Sequence, residues 1–232
     1  YTGHQLQSER HFRLFWEAPL NEIIDKNNTY CFLYNGGDFT RYLAPKREIA
    51  IFGKYKFLGS DNFPSYSYRI QNKDQHFLPG VSFGKRGEYL DAHLLSEEAI
   101  FTVEGQCIPL ESEEHRYLIL GILNSHFASR LLNTYAGQHK YSGYVNLLPI
   151  PSLDGNYDKI ICFVKEVIAI KEKYFSFDET TINFVGPFID VKEKIDLQIR
   201  NFKHMLRNDE GRLKTLHTAI ENEVVEIYKL KD

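Results

Sequence analysis

Little in this sequence belongs to an oxidising compartment, a membrane or a metal centre. Its three cysteines, Cys31, Cys107 and Cys162, are far apart and odd in number. They have neither the density of a disulfide framework nor the spacing of a metal site, so a reducing cytosol is the expected setting. No apolar run approaches the roughly 18 residues a membrane span needs, and no secretory signal pattern opens the chain. There is one methionine, Met205, and the chain begins at Tyr1. It therefore reads as a C-terminal piece of a longer polypeptide, with further motifs upstream. The formal net charge of −3 argues against a general nucleic-acid binder.

Catalytic signatures are also missing. A methyltransferase acting on amino groups needs an Asp/Asn/Ser-Pro-Pro-aromatic loop to accept hydrogen bonds from the target amine. Asp61-Asn62-Phe63-Pro64-Ser65-Tyr66 comes nearest, with one proline and the wrong order, and reads as a turn leading into a strand. Phe83-Gly84-Lys85-Arg86-Gly87 has glycines, but not in the strand-to-helix context of a cofactor loop. His126 and His139 have no cysteine or acid at ligand spacing. Ser82, Ser125 and Ser142 lack the setting of a nucleophile elbow. Glu193 and Lys194 read as a solvated helix face rather than part of a nuclease motif. The expectation is no catalytic residue and no metal ligand in this chain.

Aromatic residues and a charge asymmetry are what the chain does have. Tyr and Phe number 15 and 17. Between Arg41 and Arg86 lie nine Lys or Arg, three acids and nine Tyr or Phe, a net of +6 that leaves −9 for the remainder. Such a window suits a phosphate-facing surface, and equally suits solvated strand faces with the aromatics turned inward. Leu78–Gly87 is a glycine-punctuated basic loop, and Ala99–Gly105 is a strand ending in an acidic-glycine turn.

The expected fold class is α+β, with short sheets in a mixed domain over residues 1–151 and a C-terminal helical bundle over 152–232. Strands are predicted at Thr29–Tyr34, Glu48–Phe52, Ser65–Ile70 and Ala99–Val103, and Arg10–Trp16 as a helical turn or strand entry. A single helix is predicted over Glu113–Asn133. The sequence Leu147-Leu148-Pro149-Ile150-Pro151 continues neither helix nor central strand and marks the boundary. Three helices follow: Asp158–Tyr174, Asp190–Leu206 with Asp190 as N-cap, and one from about Asp209 to Leu230 with an apolar stripe at Leu213, Leu216, Ile220, Val224 and Ile227.

Several segments, taken in order, resemble a known family. They are Thr2-Gly3-His4 with Arg10-His11-Phe12-Arg13-Leu14-Phe15-Trp16-Glu17, then Tyr34–Tyr42 with its Asn35-Gly36-Gly37-Asp38 turn, then Pro79–Arg86 and Ile100–Gly105. Tyr117–Ser125, Lys140–Pro151 and Glu226–Leu230 complete the series. Each is weak alone, but the ordered set spans nearly the whole chain. It resembles the TaqI-like C-terminal specificity region of adenine-specific DNA methyltransferases, in type IIG restriction-modification enzymes and in BREX- and DISARM-type phage defence. Departures occur at His4, Asp38, Phe83 and Cys107-Ile108, where the family pattern has other residues.

The resemblance implies a DNA target-recognition domain whose partners are double-stranded DNA and an upstream methyltransferase domain of the same polypeptide. That upstream domain would use S-adenosylmethionine; this chain would hold no cofactor. Arg41, Lys85 and Arg86 suit phosphate or guanine contacts, and Asn35 and Gln138 suit adenine edges. Arg10, Arg13, Gly37, Asp38, Ser82, Lys140 and Tyr141 complete the expected DNA-binding set. The competing expectation is a protein-interaction module that docks subunits of a defence complex through its helical tail. An exposed apolar stripe over Leu213–Ile227 would favour docking; a concave basic face joining Arg41, Lys85 and Arg86 would favour DNA.

Overall fold

The computed structural model describes residues 5–6, 12–24, 29–36, 40–50, 68–69, 72–190 and 192–230. Its first half is built from short strands: β1 (Gln5–Leu6), β2 (Phe12–Leu14), β3 (Cys31–Tyr34), β4 (Glu48–Ala50) and β5 (Tyr68–Arg69). A 3-10 turn at Phe15–Glu17 and the helix α1 (Leu20–Ile24) separate β2 from β3. Then come β6 (Gly80–Gly84), β7 (His93–Leu95), β8 (Ala99–Phe101) and β9 (Gly105–Pro109). Among the described residues they form a β1-β5 pair, a four-stranded sheet β2-β4-β3-β8 and a three-stranded sheet β7-β6-β9.

The apolar runs at 31–34 and 99–101 follow from a sheet covered on both faces. β3 and β8 pair in parallel, Phe32 with Ala99 and Tyr34 with Phe101. Phe32, Tyr34 and Phe101 join one buried cluster with Ile49 and Leu95. Cys31, Leu33 and Ile100 face the other side with Ala50 and Phe77. The expected strand at Glu48–Phe52 is seen to Ala50, and that at Ser65–Ile70 only at β5; the rest of both lies outside the described residues. The 80–84 stretch, read from sequence as a loop, is instead the middle strand of the second sheet, and all five of its residues are buried. Its terminal glycines concealed that.

Five helices follow: α2 (Glu113–Leu123), α3 (His126–Ala136), α4 (Ser142–Val145), α5 (Asp158–Phe175) and α6 (Ile195–Tyr228). The single helix expected over 113–133 is broken at Asn124-Ser125. Ser125 ends one helix and starts the next, its Oγ donating to Ile122 O at 2.6 Å and accepting from Ala128 N at 3.1 Å. Asn124 turns inward and holds the sheet, its side chain bonding both Ala92 N (3.0 Å) and Ala92 O (2.8 Å). At Gly121 a Cβ would lie 2.9 Å from Ile160 Cδ1, so the missing side chain sets how closely α2 and α5 approach.

The two helices expected over 190–206 and 209–230 are one helix of 34 residues. Asp190 is not its N-cap; that position is Lys194. Gln198 instead reaches back, accepting from Asp190 N and donating to Asp190 O, both at 2.6 Å. Continuity past Asp209 follows from packing on α5, with Lys173 bonded to Asp209 at 2.8 Å and Arg212 bidentate to Glu166 at 2.6 and 2.7 Å. Leu216, Ile220 and Val224 share a buried cluster with Val164 of α5, Leu118 of α2, and Val81 and Phe83 of β6. The main core therefore runs across residue 151.

Asn124→Ala should lower stability by about 1–3 kcal/mol, because it leaves the buried Ala92 N–H unbonded and takes one of two donors from Ala92 O, which keeps its bond from Tyr42 N. Urea unfolding measures this; a change below about 0.5 kcal/mol would mean Asn124 does not join helix to sheet.

Candidate nucleic-acid interface

Four turns converge at one edge of the two larger sheets. Asn35-Gly36 leaves β3, Thr102–Glu104 connects β8 to β9, Lys85–Gly87 follows β6, and Gln138–Tyr141 follows α3. Gly36 has φ +75°, and a Cβ there would lie 2.4 Å from Glu104 O, so the first two turns touch through backbone that only glycine permits. Thr102 Oγ1 fastens them: it donates to Asn35 Oδ1 at 2.9 Å and accepts from Glu104 N at 3.1 Å.

The other two turns pair as a short antiparallel ribbon. Lys140 N donates to Lys85 O at 2.7 Å, Gly87 N donates to Gln138 O at 3.2 Å, and Arg86 lies opposite His139. Lys140 locks the ribbon from inside. It is fully buried, and its Nζ donates to Gly87 O and, at 3.2 Å, to Gly137 O. Burial pushes its pKa below the usual lysine range, and Asp91 and Glu88 partly offset this. An ammonium bonded to carbonyls in this way is a brace for the turn rather than a surface contact.

The side chains above the ribbon differ in freedom. Lys85, nearly buried, donates to Glu104 Oε1 at 3.1 Å, with its Nζ 4.9 Å from the centre of the Tyr141 ring. Arg86 reaches Glu104 Oε2 at 3.4 Å, but its side chain is 68% exposed, so a phosphate can displace that pairing at little cost. Arg41 flanks the turn, stacked 3.9 Å over the Tyr89 ring and 3.6 Å from Asp91. Its orientation is set by Tyr42, strained at φ 73° and held by hydrogen bonds with Ala92 and Leu94 and by stacking on His217. Burial raises the Asp91 pKa and Arg41 opposes that rise. Burial also lowers His93 to about 4, which keeps it neutral.

The structure thus brings together Asn35, Lys85, Arg86, Gln138, Lys140 and Tyr141, with Arg41 beside them. It does not bring Ser82 or Arg13 to that edge. Ser82 is fully buried in β6 opposite His93, and Arg13 lies on the outer strand β2, its Nη1 donating to Phe12 O at 2.6 Å. Arg10, Gly37 and Asp38 lie outside the described residues, as do Lys54 and Lys56 of the basic window. Sequence reasoning passed over Glu104, which holds both cations, and His139. Their signals were an acid directly before a strand glycine and the alternation of His139 and Tyr141 about Lys140. The Leu213–Ile227 stripe is not an exposed face: Leu216, Ile220 and Val224 are buried, with Leu213 and Ile227 packed against them. Among the described residues no group of acids, histidines and cysteines could hold a metal ion, and no helix is long and apolar enough to cross a membrane.

No family model and no curated protein matches the chain. Among solved structures it is similar to MmeI, a type IIL restriction-modification enzyme determined in complex with DNA, with 13% identity and a TM-score of 0.54. The likeness covers 100% of this chain and 32% of that one, so the chain spans about a third of the enzyme's length. At this identity the likeness is one of fold: this chain has the fold of part of a restriction-modification enzyme.

Two outcomes check the local account. Lys140→Met should destabilise the protein by about 2 kcal/mol and speed amide exchange at Gly87 and at position 140, since two carbonyls lose a charged donor; unchanged exchange would contradict the brace. Lys171 of α5 has its pKa lowered from 10.5 to about 8, chiefly by burial, with Asp91 opposing and Arg41 adding. Between those values the unfolded chain keeps a proton that the native protein has released, so stability from this group rises with pH. Lys171→Met should remove on the order of 1–3 kcal/mol of that rise between pH 8 and 10.5. Parallel stability curves for the two proteins would contradict it.

Proposed function

We propose that the chain is a DNA target-recognition module, the specificity part of an N6-adenine methyltransferase in restriction-modification or phage defence. The observation that carries this reading is the ribbon pairing Lys85–Gly87 with Gln138–Lys140. Two segments that sequence alone proposed as DNA-contacting, 53 residues apart at Gly87 and Lys140, share one braced edge. The fold shared with part of a restriction-modification enzyme supports it, as does the ordered motif series.

The physical division of labour is consistent. Adenine N6 lies inside the base stack, so an enzyme that methylates it must take the base out of the helix. The domain that does so would hold S-adenosylmethionine and lie upstream in the same polypeptide. A second lobe then fixes register by phosphate contacts and sequence by contacts to base edges. Arg86, exposed and weakly paired, takes a phosphate or the O6/N7 edge of guanine. Lys85 adds charge beneath it, and Gln138, exposed on the facing turn, offers an amide to an adenine edge. Glu104 keeps both cations in place until DNA arrives.

A second reading, docking to other subunits of a defence complex, draws on a different surface. Val185 is 87% exposed, and Phe184, Ile189, Ile195 and Leu197, close to it in sequence, are exposed as well. Val185→Glu with Leu197→Glu should leave DNA binding unchanged and disrupt docking alone.

The chain should bind duplex DNA at low ionic strength, with affinity falling steeply as salt rises. Fluorescence anisotropy measures this, and salt-independent or absent binding would overturn the reading. If Arg86 contacts a phosphate, Arg86→Ala should flatten the salt slope by about one. Glu104→Gln should raise affinity by up to about fivefold, because a competing carboxylate is gone.

A further inference from the structure

The segment after α3 alternates in an unusual way for a surface turn. Lys140 is fully buried, while its neighbours His139 and Tyr141 are exposed, Tyr141 by 45%. In extended chain, residues on either side of an inward side chain point the same way. The two rings are close to parallel, 20° between planes, with centroids 6.4 Å apart. Stacked bases sit about 3.4 Å apart, so two such spacings, about 6.8 Å, nearly match this separation. That separation runs between centroids and is therefore the most the gap between the ring faces can be; rotation of the two exposed side chains about their own torsions opens it into a clip that admits one planar ring.

The surroundings favour a nucleotide over any other flat group. Arg86 lies opposite His139 in the antiparallel bridge, which places the two side chains on one face. Lys85 Nζ is 4.9 Å from the Tyr141 ring centre. Behind Tyr141, the Tyr144 and Tyr135 rings follow at 6.4 and 6.1 Å, and Tyr135 OH donates to Tyr144 O at 3.2 Å. That bond stiffens the backing, and the Lys140 brace stiffens the base of the clip.

We propose that His139 and Tyr141 clip a single unstacked nucleobase, while Arg86 and Lys85 hold the adjoining phosphate. This rests on the DNA-binding reading above and adds a subsite to it. Base–aromatic stacking tolerates any base identity, so the clip contributes affinity and strand geometry rather than sequence readout. The base comes either from a single-stranded segment or from a duplex in which it has been displaced.

The test uses the full chain and three oligonucleotides carrying one 2-aminopurine: a single strand, a duplex with the probe opposite an abasic site, and a fully paired duplex. Anisotropy reads binding at low salt and emission reads ring contact. The expected result is quenching of the single strand or of the abasic duplex; the first alone identifies a single-stranded source, the second a displaced base. Tyr141→Ala and His139→Ala should abolish the quenching and weaken that probe's binding roughly tenfold, with Tyr141→Phe retaining both. Binding of the paired duplex with unchanged emission from every probe overturns the clip and leaves the DNA reading standing. Quenching that survives Tyr141→Ala does the same. Absence of salt-dependent binding to all three removes both.

Discussion

The site depends on one buried ammonium. Lys140 donates from the interior to Gly87 O and Gly137 O, and so ties a turn following a strand to a turn following a helix. Without that donor the two carbonyls would be desolvated and unbonded, which costs more than an ordinary hydrogen bond contributes. With it, the backbone pairing of residues 85–87 with 138–140 is fixed, and everything outside that pairing inherits a defined position. The backbone that carries Arg86, Tyr141, His139 and Gln138 is thereby held by hydrogen bonds on both sides of the ribbon. A surface so held loses less entropy when a ligand binds.

Charge at this edge is balanced rather than simply positive. Glu104 pairs with both Lys85 and Arg86, and Asp91 with Arg41. A cluster of unpaired cations would repel itself and attract polyanions without discrimination. Exchangeable carboxylate partners lessen that, and the exposed Arg86 pairing is weak enough to give way to phosphate. The overall charge of −3 therefore does not conflict with a local edge that carries Arg41, Lys85 and Arg86. The apolar stripe of α6 has a different role, joining the helices to the strands in one core. Exposed apolar side chains occur instead along the stretch from Phe184 to Ile199, before and at the start of that helix.

Much of the fold was legible where burial is two-sided or periodic. The strands expected over 29–34 and 99–103 are present at 31–34 and 99–101 because both faces of their sheet are covered, and the helix expected over 158–174 is present because one of its faces is apolar. Glycines at both ends disguised Gly80–Gly84 as a loop, since local propensity carries no information about the long-range pairing with β7 and β9. The break at Asn124-Ser125 was hidden because apolar spacing resumes beyond it, and the inward bond of Asn124 to Ala92 is a tertiary event. The same limit explains Asp190, which looked like a cap until the reach of Gln198 was visible. At the site, the basic and amide residues were recognisable by type. Which of them face outward was not: Lys140 and Ser82 look like their neighbours in sequence and are buried in the structure.

The central claim is that the 85–87 and 138–141 turns form one face that meets DNA. Hydrogen–deuterium exchange of the full chain, with and without a generic duplex at low salt, addresses it directly. The expected result is added protection confined to residues 84–87 and 137–144, lost again when salt is raised. Protection that falls instead on the Phe184–Ile199 region, with the two turns unchanged, would contradict it.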